Sequence, residues 1–365
     1  MPSNLRSTRS TSLKRPYAPM DAKSVPEPPV GPEWQYEPKW DGFRCLIFRT
    51  SDDVFLQSKS GQPLARYFPD VVAMVQRLKP DHFALDGEIV IPVAGRLSFD
   101  DLLLRVHPAA SRVQLLAQQH PAMLVIFDLL VSDKGIPIVA QPLAQRRAAL
   151  ERFARSYLKN MPNIRLSPAT TSLTVARRWF RAVGGNLDGI VAKRLDLPYR
   201  SGTRDGMQKI KHRQTADCVV GGFRYATGKR VLGSLLLGLY DTEGLLHHVG
   251  FTSSFTQAER VRLTALVKPL EGLSAFTGRS PGRPSRWSTR ESADWRPLQP
   301  KLVVEVEYDH FTGGRFRHGT HLLRWRGDKA PGQCTLEQIE GGRGSTLKLL
   351  TAPAKRPKKA SPKRR

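Results

Sequence analysis

The chain has 365 residues, and its 58 Lys and Arg against 32 Asp and Glu give a net charge of +26, which indicates nucleic acid as a polyanionic partner. This length predicts two domains, and no apolar run reaches the roughly 18 to 20 residues of a membrane span, so a membrane protein is excluded. The N-terminus lacks the apolar centre of a signal peptide, and three widely separated cysteines fit neither a disulfide framework nor a C-x-x-C zinc site, so we expect a cytoplasmic, nucleoid-associated protein.

The composition of both ends of the chain predicts disordered basic segments. Residues 1–25 are rich in Ser, Arg and Pro without apolar periodicity, and residues 351–365 carry seven basic groups and no acid. Between these ends, mixed helical and strand patterns give way near residue 213 to short strand-like runs. We therefore predict a first domain over residues 26–213 and a second over residues 214–350.

The first domain alternates strands with helices. Apolar and β-branched runs predict strands at 43–48, 54–58, 83–85, 89–91 and 123–130, with Asp86-Gly87-Glu88 as a turn. Helical spacing predicts helices at 70–79, 142–157 and 174–183, the last with Thr174 as its N-cap and Gly184-Gly185 as its end.

A phosphate clamp is predicted at the end of the first domain. In MQKIK at residues 207–211, alternation places Lys209 and Lys211 on the same face of a strand. Two neighbouring cations on one face suit a phosphate group.

The sequence pattern of the second domain predicts a small β-barrel. Short strand-like runs separated by glycine turns cover residues 218–223, 234–240, 247–251 and 302–308. Residues 276–298 are rich in Arg, Ser, Gly and Pro, and so long a loop usually binds a ligand or is disordered.

Lys39 is the candidate nucleophile. It begins the string KWDGFR at residues 39–44, with Asp41 and Arg44 at fixed distances, just before a predicted strand. A lysine amine attacks only when neutral, which costs roughly 4 to 5 kcal/mol at pH 7 from its ordinary pKa. Positive charge from Lys209, Lys211 and a metal ion would lower that pKa.

These strings, in this order, resemble the motifs of the covalent nucleotidyltransferases, and within them the ATP-dependent DNA ligases. KWDGFR resembles the nucleophile motif, DGE at 86–88 the ribose-binding motif, and Phe127-Asp128 the strand whose aromatic ring stacks on adenine. DGIVAK at 188–193 is similar to the motif with a metal-associated acid, and KIK at 209–211 to the motif that contacts the α-phosphate. RGDK at 326–329 resembles the final motif, and the string RWRGDKAP with the compact length most resembles the bacterial ligase C type.

The resemblance implies an α+β fold with two domains. The first would be an adenylyltransferase domain of the ATP-grasp-like ligase catalytic type, with antiparallel sheets and flanking helices. The second would be an oligonucleotide-binding (OB) β-barrel that carries the final motif and closes over the pyrophosphate of the nucleotide by movement near residue 213.

The resemblance also implies the site residues. Lys39 would carry the nucleotide, Asp188 and Glu88 would lie at the metal, and the remaining side chains would bind ATP: Glu37, Arg44, Lys59, Glu88, Phe127, Lys209, Lys211, Arg326 and Lys329. Two positions depart from the family pattern, since the family usually has glutamate at Asp188 and arginine at Lys59. Taken alone, Asp86-Gly87-Glu88 is also compatible with a hairpin turn, Phe127 with a core residue and Glu37 with a solvated charge.

The implied activity is nick sealing in DNA repair or recombination. ATP would form a lysyl-AMP intermediate with Mg²⁺ or Mn²⁺ as cofactor, and nicked duplex DNA would be the partner of a monomeric enzyme, with repair proteins as further partners. Two alternatives remain: an RNA ligase or capping-type guanylyltransferase with the same lysyl-nucleotide chemistry, or an inactive nucleic-acid-binding scaffold.

Overall fold

The chain forms two compact units. A computed structural model describes residues 13–182, 187–211, 213–282, 294–340 and 347–351. One unit comprises residues 1–211 and 344–365, and the other residues 212–343. Within the described ranges, none of the helices is long and apolar enough to cross a membrane.

Both units combine strands with helices. The strands are β1 (Lys23–Ser24), β2 (Trp34–Lys39), β3 (Phe43–Thr50), β4 (Asp53–Ser58), β5 (His82–Val90), β6 (Pro92–Val93), β7 (Arg96–Leu97), β8 (Met123–Val131), β9 (Ile164–Leu166), β10 (Gly189–Arg194), β11 (Met207–Lys211), β12 (Gln214–Tyr225), β13 (Leu232–Tyr240), β14 (Leu246–Thr252), β15 (Arg296–Pro297), β16 (Val303–Tyr308), β17 (Phe311–Thr312), β18 (Arg315–Phe316) and β19 (His321–Trp325). The helices are α1 (Pro69–Gln76), α2 (Phe99–Arg105), α3 (Ala110–Gln119), α4 (Leu143–Tyr157), α5 (Leu173–Ala182), α6 (Gln257–Val267), α7 (Glu337–Glu340) and α8 (Leu347–Thr351).

The first unit is built on two main sheets. One has the order β4-β3-β5-β8-β9 and the other the order β1-β11-β10-β2. Neighbouring strands are antiparallel except for the pairs β8–β9 and β1–β11. The predicted antiparallel sheets with flanking helices are therefore present.

The two faces of the four-stranded sheet differ: one packs on helix α5, and the other carries a row of polar side chains. Trp34 and Tyr36 of β2 are buried with Ala176 of α5, in a cluster that also contains residues of β10 and β11. Since successive side chains point to opposite faces, Glu37 and Lys39 of the alternate row line a cleft instead. This alternation positions the site.

The string DGE at residues 86–88 is not a turn, so that prediction was wrong. It lies inside the continuous strand β5, opposite residues of β3 and β8. A Cβ on Gly87 would lie 2.8 Å from the backbone oxygen of Val125. Glycine is needed at this position because β8 approaches the backbone of β5 closely. The same glycine was interpreted as a turn residue from the sequence alone.

Helix ends differ from the predictions by a few residues. Helix α1 ends at Gln76 and not at 79, and α4 begins at Leu143. Helix α5 begins at Leu173, so Thr174 is not its N-cap; the Ser172 hydroxyl accepts a hydrogen bond from the Val175 amide at 3.4 Å. The predicted end at Gly184-Gly185 lies outside the described residues.

Residues 13–25 differ from the predicted disordered arm. Lys23–Ser24 pair with β11, Met20 is buried, and the Tyr17 ring stacks on Tyr199 with centroids 6.2 Å apart. Backbone pairing and insertion of single apolar side chains hold this segment, and neither leaves a periodic pattern in the sequence. Residues 1–12 and 352–365 lie outside the described residues.

The second unit contains a six-stranded antiparallel sheet. Its order is β14-β13-β12-β16-β19, with β15 also paired to β12. A parallel bridge between Thr252 and Thr320 joins the end of β14 to the start of β19, which brings the two edge strands together. Helix α6 contacts β13, and a cluster of buried apolar side chains fills the unit.

The predicted fold class is confirmed. Antiparallel sheets with flanking helices form the first unit, and a β-rich unit follows it. Of the predicted loop at 276–298, residues 283–293 lie outside the described residues, and Arg296–Pro297 form β15.

Candidate active site

A cleft of about 730 Å³, counting the space open to solvent at its mouth, lies in the first unit. Both main sheets and the segment before β2 contribute to its wall. The lining side chains include Asp21, Glu37, Lys39, Arg44, Lys59, Glu88, Phe127, Lys193 and Lys209.

Lys39 is the last residue of β2 and faces an acid. Its backbone lies opposite Gly189 of β10, and its ammonium contacts the carboxylate of Asp188, which is 5% exposed. Gly189 has φ +142°, and a Cβ there would collide with the carbonyl oxygen of Ile210. Glycine therefore allows β10 to start at this point and places Asp188 beside Lys39.

The pKa of Lys39 is lowered. Burial is the main cause, and the positive charges of Lys211 and Lys209 act in the same direction. Glu88 and Asp41 act in the opposite direction. A lysine with a lowered pKa is more often neutral at physiological pH, which a nucleophilic amine requires.

The predicted phosphate clamp occupies β11. Lys209 and Lys211 lie opposite Val191 and Gly189 of β10, two residues apart on the strand, and Lys209 lines the cleft. Burial lowers the pKa of Lys209, and the charge of Lys211 contributes to this shift. The two lysines thus form a positive row on β11, which β10 separates from β2 and its Lys39.

Glu37 is buried and paired, not solvated. Its carboxylate accepts a hydrogen bond from Lys193 Nζ at 2.9 Å and one from Gln35 Nε2 at 2.8 Å, and Glu37 is 2% exposed. Lys193 Nζ also lies 4.5 Å from the ring centroid of Phe127. Lys193 was absent from the predicted site, although the string DGIVAK contains it.

Phe127 and Arg44 meet in the wall of the cleft. The Arg44 guanidinium lies 4.7 Å from the Phe127 ring centroid and binds Asp86 through Nε at 2.5 Å and Nη2 at 2.6 Å. The Tyr199 hydroxyl donates to the same carboxylate at 2.6 Å. Arg44 is therefore held in one orientation by Asp86, a partner that sequence reasoning did not assign.

Glu88 lies opposite Arg44 in the sheet and has an unusual pKa. Burial raises the pKa of Glu88 to about 7, with Asp41 and Asp86 adding to the rise and Arg44 and Lys39 opposing it. A carboxyl group in this position can accept or donate a hydrogen bond near neutral pH.

Lys59 contacts a residue of the N-terminal segment. Its Nζ lies 3.0 Å from the carboxylate of Asp21, which Arg204 also approaches at 3.8 Å. Asp21 lay in the predicted disordered arm, so its place in the cleft wall was missed. The short apolar stretch around Met20 was the one feature of the sequence that could have indicated an ordered segment here.

The carboxylates near Lys39 fit a hard divalent cation. Oxygen atoms of Asp41 and Asp188 lie within 4.8 Å of one another, and Mg²⁺ and Mn²⁺ prefer such oxygen ligands. Asp41 was not assigned to the metal from the sequence, although its fixed distance from Lys39 was noted.

Arg326 and Lys329 lie in the second unit, so they are described apart from the cleft. Arg326 Nη1 lies 2.9 Å from Oδ1 of Asp217, and Lys329 Nζ lies 2.7 Å from Oδ2 of the same carboxylate. Asp328 binds the other edge of the Arg326 guanidinium at 2.8 to 3.2 Å. Sequence reasoning did not assign Asp217.

Comparisons with known proteins agree with the motifs. The family model described as "ATP dependent DNA ligase domain" matches residues 19–211, and "ATP dependent DNA ligase C terminal region" matches residues 228–329. DNA ligase C2 of Mycolicibacterium smegmatis is 43% identical over 89% of this chain and 94% of that protein. The multifunctional non-homologous end joining DNA repair protein LigD of Mycobacterium tuberculosis is 30% identical over 84% of this chain and 38% of that protein.

A solved structure supports the fold alone. A Lig E DNA ligase has a TM-score of 0.53 at 17% identity and covers 85% of this chain and 99% of that one. The two family models, which match more than half of the sequence, and the similarity to DNA ligase C2 show that the chain belongs to the ATP-dependent DNA ligase family.

Proposed function

We propose that this protein is an ATP-dependent DNA ligase that seals nicks between a 5′-phosphate and a 3′-hydroxyl through an AMP carried on Lys39. The observation that carries this proposal is the position of Lys39, a partly buried lysine with a lowered pKa in a cleft with Lys209 and Glu88. Membership in the ligase family supplies the reaction class.

In the first step, the neutral Nζ of Lys39 attacks the α-phosphorus of ATP. An N–P bond forms, the P–O bond to pyrophosphate breaks, and the amine loses a proton to solvent. Lys209 and Lys211 would stabilise the charge on the phosphoryl oxygens, because phosphoryl transfer depends on positioning and electrostatics.

In the later steps, AMP moves to DNA and then leaves. An oxygen of the 5′-phosphate attacks the AMP phosphorus, the N–P bond breaks, and Lys39 regains a proton. The 3′-hydroxyl then attacks the 5′-phosphorus and releases AMP. We propose Lys59 as a contact of AMP or of the 5′-phosphate, which its exposed position beside the cleft supports.

The nucleoside would be held mainly by the five-stranded sheet, which carries Arg44, Glu88 and Phe127, with Glu37 contributed by β2 of the other sheet. We propose that the Phe127 ring stacks on adenine, that Glu37 lies at the adenine edge, and that Arg44 and Glu88 contact the ribose. All four side chains line the cleft. Two hydrogen bonds to Asp86 fix the orientation of the Arg44 guanidinium beside the Phe127 ring.

Asp188 and Asp41, with Glu88 nearby, would hold Mg²⁺ or Mn²⁺. Such an ion supplies charge neutralisation at the phosphates and favours the uncharged lysine. We propose that Arg326 and Lys329 act on the β- and γ-phosphates during the first step only, because pyrophosphate is absent from the later ones.

The wider setting is also a proposal. Residues 26–213 would form the adenylyltransferase domain, with the OB domain starting at residue 214. We propose a cytoplasmic, nucleoid-associated monomer that acts in DNA repair, supported by the basic charge and by the similarity to a repair protein.

Sealing of a nicked duplex by wild type and by Lys39→Ala tests the proposal. Wild type should seal the nick and form a covalent label from α-labelled ATP, while K39A should do neither. Lys134→Ala, which removes an exposed lysine of the β8–α4 connection, is the matched control and should behave as wild type. Equal sealing by wild type and K39A would refute the nucleophile, and a covalent label from GTP alone would refute the DNA ligase assignment.

A further inference from the structure

Asp217 organises the two cations of the string RGDK. It lies in β12, and one of its carboxylate oxygens, Oδ2, accepts from Arg326 Nη1 at 3.1 Å and from Lys329 Nζ at 2.7 Å. Oδ1 accepts a second contact from Arg326 Nη1 at 2.9 Å. Two cations thus share one acid that is 109 and 112 positions away in the sequence.

The position of Asp217 is itself fixed. Gln338 donates from Nε2 to the Asp217 backbone oxygen at 3.0 Å and accepts from its backbone amide at 2.9 Å. The side chains of Asp217, Arg326 and Lys329 are 13%, 18% and 23% exposed, so the cluster is largely shielded from water. Shielding strengthens the attraction within the cluster and also the repulsion between its two cations.

The cluster keeps donors for a ligand. Asp217 and Asp328 contact Nε, Nη1 and Nη2 of Arg326, but each terminal nitrogen carries two hydrogens, and Lys329 carries three. The cations can therefore bind phosphate oxygens without releasing Asp217. Without this acid, the two like charges would separate, and each would sample other positions before binding.

We propose that Asp217 is a positioning residue that sets the spacing of Arg326 and Lys329 for the pyrophosphate leaving group of ATP. This inference rests on the proposed function. Asp217 touches neither substrate nor the reacting atoms; it acts through the two cations. Its effect is therefore confined to lysyl-AMP formation, since sealing of a nick that already carries AMP involves no pyrophosphate.

The test separates the two reactions in Asp217→Asn, which removes the charge and keeps the shape. Formation of labelled lysyl-AMP is measured against ATP concentration, and sealing is measured on a preadenylylated nick. For D217N, we expect kcat/KM for lysyl-AMP formation to fall about 10- to 100-fold, as for loss of one partner of a shielded charge pair. Sealing of the preadenylylated nick should stay within about twofold of wild type.

Two further variants make the test specific. Glu305→Gln removes another carboxylate that lies 3.9 Å from Arg326, and this control should leave both reactions unchanged. Asp217→Glu keeps the charge and displaces it by one methylene, so it should lose part of lysyl-AMP formation only. D217E also provides the comparison should D217N fail to fold.

Three results would overturn the inference. Equal loss of both reactions in D217N and D217E would indicate a structural role, and unchanged lysyl-AMP formation would show that the cations need no positioning. A lower KM for ATP in D217N would show that Asp217 competes with the phosphates. Each of these outcomes requires an active wild type, whereas failure of the proposed function would appear as no labelling of wild type.

Discussion

Replacing Lys193 by methionine tests how Glu37 is held at the nucleoside end of the cleft. The Lys193 ammonium lies 2.9 Å from Glu37 Oε2, and the side chains of Lys193 and Glu37 are 10% and 2% exposed. Methionine keeps an unbranched stem but removes the charge. Glu37 would then remain buried with one hydrogen-bond partner from Gln35.

The expected cost follows from these contacts. Removing one partner of a buried ion pair destabilises a protein by about 3 to 5 kcal/mol. Because Gln35 still binds the other oxygen of Glu37, the lower end applies, at about 3 kcal/mol. Loss of the cation–π contact with Phe127 adds about 1 kcal/mol, so local opening should become favoured by roughly 4 kcal/mol, or about a thousandfold.

Hydrogen exchange measures this local opening. Amides of β2 and β10 in K193M should exchange about a thousandfold faster than in wild type where local opening limits exchange, and those of β13 in the second unit should not change. Lys193→Arg keeps the charge and should lose far less. The double variant Glu37→Gln with Lys193→Met should recover much of the loss, because no unpaired buried charge remains.

Two results would refute this reasoning. An exchange rate within about tenfold of wild type in K193M would mean that the ion pair contributes little. A double variant as unstable as K193M would mean that the loss comes from packing and not from an unpaired Glu37.

Three further predictions concern His248, Asp21 and the C-terminal tail. Burial lowers the pKa of His248 to about 4. As the pH falls below 6.5, His248 takes up a proton in the unfolded chain before it does so in the folded protein. The folded protein therefore loses stability between pH 6.5 and pH 4. Thermal unfolding at pH 7 and pH 4.5 should show that wild type loses up to about 3 kcal/mol more than His248→Gln, and equal losses would contradict this. Asp21→Asn removes the partner of Lys59 and should tighten binding of nicked DNA by about two- to fivefold at low salt only; a gain that persists after Lys59→Ala would exclude Lys59 as its cause. Deleting residues 351–365 should weaken DNA binding at low salt without abolishing lysyl-AMP formation, and loss of labelling would refute a purely nonspecific role.

Local patterns predicted much of the fold. The strands at 43–48, 54–58 and 123–130 and the helix at 142–157 appear as β3, β4, β8 and α4, because each carries a run or a stripe of apolar side chains that the core buries. The string DGE failed as a turn because its glycine serves close packing between strands, which depends on β8. The prediction of disorder failed for residues 13–25 because their order comes from packing against the rest of the first unit, and not from a periodic pattern of their own.

Residue types and motif order determined the chemistry that the sequence alone indicates. Phe127 was assigned only through the order of the motifs, whereas the candidate nucleophile Lys39 and the positive row of Lys209 and Lys211 were predictable from short strings with their own signatures. The charge partners were not. Lys39 and Asp188 are 149 positions apart, and Glu37 and Lys193 are 156 apart.

Only the tertiary structure decided which charges neutralise each other. Asp21, Asp86 and Asp217 each bind cations of the predicted site, yet none of them was assigned from the sequence. The physical reason is that a charged group near the interior needs a partner within about 3 to 4 Å. Strand pairing across the chain, which no local pattern encodes, decides which acid that is.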